Sequence, residues 1–255
     1  MDAAPRKRLD QLLVDRGLAP SRAKAQALVL AGEVVSGTAR LDKPGLQVRP
    51  DIDLALKTAG PRWASRGAEK LLAGLGAFAL DPAGMTAIDV GASTGGFTDV
   101  LLAGGAARVY AVDVGYGQLD HRLRTDPRVV VLERTNARHL TRAHVPEPVD
   151  LVVCDASFIP LHIVLPAALD LAKPDAWLVA LVKPQFEAGR EEATKGQGVI
   201  RDPAVHEQVC ADAAAWIEGL GWTVLGVAPS PLLGPKGNRE FLLGARRGLE
   251  GGSPA

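Results

Sequence analysis

The sequence predicts an α/β protein: a doubly wound domain on a mostly parallel seven-stranded sheet, preceded by a small α+β module. Three observations predict it. From about Met85 onward, strand and helix patterns alternate. The strand cores are nearly continuous apolar runs, as expected of a parallel sheet covered on both faces. The stretch DVGASTGGFTDVL, Asp89 to Leu101, reads as a strand end, a glycine turn and a helix start.

The module comes first. RLDQLLVDRGL spaces Leu9, Leu12 and Leu13 helically and stops at Gly17. SRAKAQALVLAG follows, with Ser21 as N-cap and Gly32 as the next stop. Short β-like pieces around Val34–Val35, Leu46–Val48 and Ile52–Leu56 are separated by Ser-Gly and Pro-Gly turns. Residues 1–57 hold ten Lys/Arg against seven Asp/Glu, and six of the ten precede residue 25. Arg6, Lys7, Arg8, Arg22 and Lys24 are therefore candidates to meet phosphates, the ordinary alternative being a solvated helix face.

Residues 58–66 read as a linker, and GAEKLLAGLGAF as a helix with Ala68, Leu71, Leu72 and Leu75 on one face and Lys70 off it. The strand candidates are MTAIDV, RVYAVDV, RVVVLE, VDLVVCD, WLVALVK, WTVLGVA and NREFLLGA. Helices are expected after Gly96, around 117–124, at 160–172 and at 203–220. No helical pattern separates the last two strands, which predicts an antiparallel hairpin at the sheet edge. Residues 67–247 form the large domain, with 248–255 as a flexible tail.

Composition sets the class. The chain has 255 residues, 47% hydrophobic and 23% charged, with zero formal net charge. Any nucleic-acid surface must then be a local patch. Cys154 and Cys210 form no metal motif and fit a reducing cytosol. MDAAPRKRLDQLL lacks the apolar core of a signal peptide, and the run Trp177–Val182 is far below the roughly 20 residues that span a bilayer. A cytoplasmic protein without a membrane partner is expected.

In an open α/β sheet, ligands bind at the carboxyl ends of the strands. Asp89, Asp113, Asp155 and Lys183 fall at or beside four such ends. Ser93 stands where a dinucleotide fingerprint has its second glycine, which argues against a pyrophosphate. Gly91, Gly95 and Gly96 still permit a tight turn before Phe97, so an adenosyl ligand without phosphates fits, S-adenosylmethionine being one. Asp113, 22 residues after Gly91, stands about where an acid reads a ribose hydroxyl pair. Asn136 is placed to contact adenine, or is simply a turn residue in TNAR.

SRGAEKL, DVGASTGGFTDVLL, AVDVGYGQL, VVLERTNAR, VVCDASFI, LVKPQFE and GPKGNREFLL together resemble the TlyA (haemolysin A) family, a branch of the FtsJ-like ribosomal RNA 2′-O-methyltransferases. The resemblance runs from about Arg8 to Arg247. It implies a Rossmann-like class I methyltransferase fold. RLDQLLVDRGLAPSRAKAQALVLAGEVVSG is similar to the RNA-binding module of ribosomal protein S-four, with Ser21, Arg22, Gln26, Gly32 and Val34 on its pattern. The resemblance further implies a Lys-Asp-Lys-Glu tetrad at Lys70, Asp155, Lys183 and Glu240, with S-adenosylmethionine as methyl donor contacted by Asp89, Gly91, Ser93, Gly95, Gly96, Phe97, Asp113, Asn136 and Asp155. It also implies a cytidine acceptor in large-subunit rRNA, with the small subunit as a further target, and a link to capreomycin susceptibility. Arg66 joins the expected RNA contacts. No metal and no obligate protein partner are expected.

The residue types suit that chemistry. A 2′-OH is a weak acid, and the sulfonium donor is already activated, so alignment and one proton transfer suffice. Lys183 is the expected general base, with Lys70 as the cation that lowers its pKa, Asp155 orienting an ammonium, and Glu240 orienting Lys70 or the ribose. Taken singly, each has an ordinary reading: a helix-surface lysine, a solvated strand end, an edge-strand acid. Gln185–Pro203, with Arg190, Lys195 and Arg201, reads as a long functional loop. Phe158 and Phe186 are candidates to stack on a base, with core packing the expected job. Other readings are a methyltransferase with a non-rRNA acceptor and a membrane-active haemolysin.

Overall fold

The computed structural model describes residues 5–56, 63–189 and 198–248. Most of the expected linker, the middle of the Gln185–Pro203 loop with Arg190 and Lys195, and residues 249–255 of the expected tail lie outside the described residues. The chain divides into two compact units, Met1–Arg62 and Trp63–Ala255.

The first unit holds helices α1 (Leu9–Asp15) and α2 (Arg22–Leu30). The Ser21 hydroxyl caps α2, accepting from the Lys24 amide at 3.3 Å. Gly17 and Gly32 follow the two helices at φ of 69° and 70°, the left-handed turn that glycine makes at least cost. The expected β pieces are present, but in two small sheets. β1 (Lys7–Arg8) pairs with β4 (Gln47–Val48), and β3 (Ala39–Arg40), β2 (Val34–Ser36) and β5 (Ala55–Leu56) form the other. β1 and β3 are two residues long, too short to show an alternation in the sequence. Leu9, Leu12, Leu13, Val29 and Val34 make the core.

The second unit opens with α3 (Ala68–Ala77), which buries Ala68 and Leu71 but leaves Leu72 41% exposed. Then follow β6 (Thr86–Val90), α4 (Gly96–Ala103), β7 (Arg108–Val112), α5 (His121–Arg124) and β8 (Val129–Leu132). β9 (Val149–Cys154) precedes two short helices, α6 (Leu161–Val164) and α7 (Pro166–Leu169). One helix over 160–172 was the simpler reading; Pro166, which has no N–H to give a continuous helix, starts a second one, and residue 172 already opens the next strand. β10 (Ala172–Val182), α8 (Pro184–Glu187), α9 (Pro203–Gly219), β11 (Trp222–Pro229) and β12 (Phe241–Arg247) complete it.

The seven strands order as β11-β12-β10-β9-β6-β7-β8. All neighbours from β10 to β8 are parallel. The hairpin forms at the edge as expected, with β12 inserted antiparallel between β10 and β11. Alternate strand residues feed two cores: Ile88, Val152 and Ala180 face α6, α7 and α9, whereas Ala87, Val153 and Val179 face α3 and α4. The chain runs outward from β6 to β8, then returns to place β9 on the other side of β6. Their carboxyl ends therefore diverge, and the crevice between them is where such sheets take ligands.

β12 fits its inner position because Gly244 leaves room for the Phe78 ring: a Cβ there would lie 2.5 Å from ring carbons. Gly244→Ala is expected to destabilise the fold by about 1–3 kcal/mol in urea melts. An alanine variant as stable as the wild type would show that Phe78 is free to swing away.

Candidate active site

Four charged side chains reach the divergent strand ends from four different elements. Asp155 follows β9, Lys183 follows β10, Lys70 rides on the first turn of α3, and Glu240 directly precedes β12. Lys183 Nζ stands 2.6 Å from Asp155 Oδ1 and donates to the Asp155 carbonyl at 3.2 Å and to Ser157 Oγ at 3.0 Å. Lys70 Nζ lies 3.3 Å from Asp155 Oδ2 and donates to Glu240 Oε2 at 2.7 Å. The result is an alternating chain, Lys183–Asp155–Lys70–Glu240, with no net charge. Its side chains are largely sealed from solvent, from 20% exposed at Asp155 to 1% at Glu240. Burial alone would depress the Lys70 ammonium; Asp155 and Glu240 outweigh it and hold Lys70 above the usual lysine range.

Glycines make this convergence possible. A Cβ on Gly96 would fall 2.3 Å from Ser65 Oγ, so the glycine turn lets the start of α3 come close. A Cβ on Gly234 would fall 2.2 Å from Glu240 Oε1, an oxygen that is buried and has no hydrogen-bond partner among the described residues.

Two cavities meet here. One of about 660 Å³ is lined by the four charged residues together with Arg66 and Ser157. The other, about 550 Å³, is lined by Asp113, Gln118, Asn136, Ala156 and Phe158. Gly91, Ser93, Asp155 and Ser157 border both. The glycine turn forms the floor. Gly91 (φ 83°) passes so close to β9 that a Cβ would lie 3.0 Å from Ala156 Cα. Ser93 also takes a positive φ of 50°, and its amide donates to Asp113 Oδ2 at 2.8 Å. Asp113 Oδ1 accepts from the Gly115 amide. Gly95 (φ 95°) caps α4, and Phe97 packs beneath the larger cavity, 3% exposed. Asn136 is a turn residue, its Oδ1 accepting from the Arg138 amide, and it also lines the smaller cavity.

Comparison with known proteins accords with this geometry. Residues 63–247 match the FtsJ-like methyltransferase family, and residues 7–51 match the S4 domain. The chain belongs to the TlyA family of FtsJ-like methyltransferases. One relative, the 16S/23S rRNA (cytidine-2′-O)-methyltransferase TlyA of Mycobacterium tuberculosis, is 51% identical over 244 residues, 95% of this chain and 91% of that protein. Hemolysin A of Brachyspira hyodysenteriae is 37% identical, over 92% of this chain and 98% of its own length. A solved structure from Streptococcus thermophilus, described as a hemolysin, superposes with a TM-score of 0.71 at 42% identity, covering 96% of this chain and 90% of that one.

Two expectations for this TlyA-family chain need correction. Asp89 lines neither cavity: the β6 alternation turns it under α4, where it is fully buried and accepts from Thr98 Oγ1 at 2.7 Å. Phe158 is no core residue. It is 88% exposed, holds a φ of 66°, and tilts against Phe186 with centroids 5.0 Å apart. Several of the cations expected to contact RNA also hold acids of the module. Lys7 meets Asp15, and Arg8 and Arg22 both meet Asp10. Arg6 and Lys24 are exposed, and Arg66 lines the larger cavity of the second unit rather than the module.

Some site residues escaped the sequence reading. Ser65, Ser157 and Gly234 all lie inside or beside quoted motifs, yet nothing in their spacing marks them. Glu187 was assigned to a loop; it ends α8, accepts from the Leu161 amide at 2.8 Å, and is pushed by burial up to about 7. Among the described residues no group of acidic, His or Cys side chains is arranged to hold a metal ion, and no helix is long and apolar enough to cross a membrane.

Burial lifts the Asp89 carboxyl to about 7, with Thr98 opposing and the charges of Asp155 and Asp113 adding to the rise. A folded pKa above the unfolded one stabilises most below the unfolded value and is lost as pH rises toward the folded one. Asp89→Asn should therefore gain on the wild type by about 2–3 kcal/mol between pH 5 and pH 8, read from urea melts at both. A difference that does not move with pH would place a stably ionised carboxylate under α4.

Proposed function

We propose that this chain transfers a methyl group from S-adenosylmethionine to the ribose 2′-oxygen of a cytidine in ribosomal RNA, in the cytoplasm, with large-subunit rRNA the main target and small-subunit rRNA a second. The observation that carries the reading is the buried chain Lys183–Asp155–Lys70–Glu240 at the border of two cavities. The 51% identity to a 16S/23S rRNA (cytidine-2′-O)-methyltransferase supports the acceptor.

The smaller cavity suits the donor. Gly91 and Ser93 keep the turn tight where it meets Asp155, Asp113 stands at its wall, and Asn136 faces it from beyond β8. When bound, S-adenosylmethionine supplies a methyl group already activated by its sulfonium. The larger cavity takes the target ribose, where Arg66 meets a flanking phosphate, and exposed Phe158, on the neighbouring smaller cavity, stacks on the extruded base. Asp155 fixes Lys183 from one oxygen and Lys70 from the other. Lys70 stays charged between two carboxylates, which makes it the fixed cation of the site. Lys183, whose Nζ faces Ser157 Oγ as well as Asp155, first gives up its own proton to solvent and then, as the neutral amine, takes the 2′-OH proton as the oxygen becomes the nucleophile. Glu240 holds Lys70, and its free oxygen accepts from a ribose hydroxyl. The S4-type module supplies phosphate contacts that bring the RNA.

Methyl transfer from labelled donor onto purified ribosomal subunits tests this. Lys183→Ala and Lys183→Arg should both lose about 10²–10⁴-fold in kcat, since arginine keeps the charge but gives up no proton. Activity retained by the arginine variant would remove the base role. Gly234→Ala, which crowds Glu240 without deleting any charge, should lower kcat by about tenfold or more and, through the same crowding, lower thermal stability as well. Removing residues 1–57 should raise KM for subunits strongly yet leave donor binding by calorimetry unchanged; an unchanged KM would point to an acceptor other than rRNA.

A further inference from the structure

The first unit contains an ion cluster that its neighbours do not repeat. Asp10, in the first turn of α1, is fully buried. Its Oδ1 accepts from Arg8 Nε at 3.1 Å. Its Oδ2 accepts from Arg8 Nη2 at 2.9 Å, Arg22 Nε at 3.0 Å and Gln26 Nε2 at 2.8 Å. Four donors from two elements, β1 and α2, thus converge on one carboxylate, which the Arg8 hydrogen bonds hold well below the usual carboxylate range, against its burial. Two other ion pairs among the described residues of this unit, Lys7 with Asp15 and Arg49 with Asp51, are one-to-one and more exposed.

The cluster is overcharged. Two guanidiniums on one carboxylate leave a net positive charge. Both arginine side chains stay about half exposed, at 44% and 52%. Arg8 commits Nε and Nη2 to Asp10, and Arg22 only Nε, so most of their ten N–H donors are left for another acceptor. Arg8 Nη1 lies over Gly45, where a Cβ would come within 3.2 Å, so the glycine gives the guanidinium room to settle there. Side-chain freedom, the usual cost of gripping a phosphate with arginine, is removed in advance.

We propose that Asp10 is a positioning residue for RNA: it holds Arg8 and Arg22 as one rigid pair that grips a backbone phosphate. The proposal rests on the rRNA reading above. It makes a prediction opposite in sign to simple Coulomb attraction. Deleting a negative charge next to a phosphate site should tighten RNA binding if Asp10 only contributes charge. If Asp10 sets the arginine geometry, binding must weaken.

The test is anisotropy of a fluorescein-labelled ribosomal RNA hairpin with the full chain, repeated from about 50 to 200 mM salt. Asp10→Asn should bind about tenfold more weakly, with the slope of log affinity against log salt smaller by about one to two. The loss should also appear in KM for ribosomal subunits more than in kcat. Arg22→Lys, which keeps both the charge and Asp10 but lacks the planar fork, should weaken binding by a similar factor. It decides the matter if Asp10→Asn melts below the assay temperature. Equal or tighter binding by Asp10→Asn, or by Arg22→Lys where that variant decides, with an unchanged salt slope, overturns the proposal and leaves the rRNA reading intact. No binding by the wild type overturns both.

Discussion

Everything around the candidate site depends on one carboxylate, Asp155, that faces two ammonium groups at once. Its oxygens are divided, Oδ1 to Lys183 and Oδ2 to Lys70. It can do this because β9 lies next to β6, on the side away from β7, so its end projects into the crevice where the sheet changes direction. The edge hairpin matters for the same reason. β12 runs antiparallel and begins where β10 ends, with Phe241 opposite Val182, so Glu240 and Lys183 arrive side by side from strands of opposite direction. A parallel seventh strand would bring its carboxyl end, not its start, to this edge. The antiparallel insertion is thus a device for supplying an acid to the site from a strand's first residue.

How much of this was legible in the sequence follows from the range of the interactions. The seven strands and the doubly wound order come from apolar runs and short connections, which are local, and they match the structure. What failed was short or directional. Two-residue strands carry no period, and Pro166 divides a stretch whose apolar spacing reads as one helix. Asp89 and Asp155 both look like strand-end acids, yet one faces α4 and the other the crevice, a difference fixed by strand alternation and length rather than by residue type. Phe158 reads as core because aromatic residues usually are; a positive φ in the turn after β9 sends it outward instead. The resemblance supplied the four charged positions, while their pairing distances and the orphaned oxygen of Glu240 come only from the folded chain.

The module teaches a related lesson about charge. Counting ten basic residues against seven acidic ones suggests a loosely cationic surface. The structure distributes them quite differently. Arg16 donates to the carbonyls of Ile52 and Pro50, Lys7 and Arg49 are neutralised by single acids, and the Asp10 cluster carries two cations per anion. A tally cannot separate cations that hold the fold from cations offered outward. The ratio of partners at each acid can.

The same reasoning bears on why the second unit tolerates its buried ions. Desolvating four charges costs several kcal/mol apiece, and mutual attraction does not reliably return it; apolar residues of similar volume are often as stabilising. A fold selected only for stability gains little from Lys183–Asp155–Lys70–Glu240 beside a sheet whose neighbouring positions are Val90, Cys154 and Val182, each essentially buried. Deleting one member is far worse than replacing all, because about 3–5 kcal/mol of unpaired charge is then stranded. Such a set is held in place by its own alternation, each nitrogen fixed between oxygens of its neighbours. That stiffness is what a reaction limited by alignment and one proton needs. Among the described residues Glu240 Oε1 is the one carboxylate oxygen of this set left without a partner, so a hydrogen bond can be added there without breaking one.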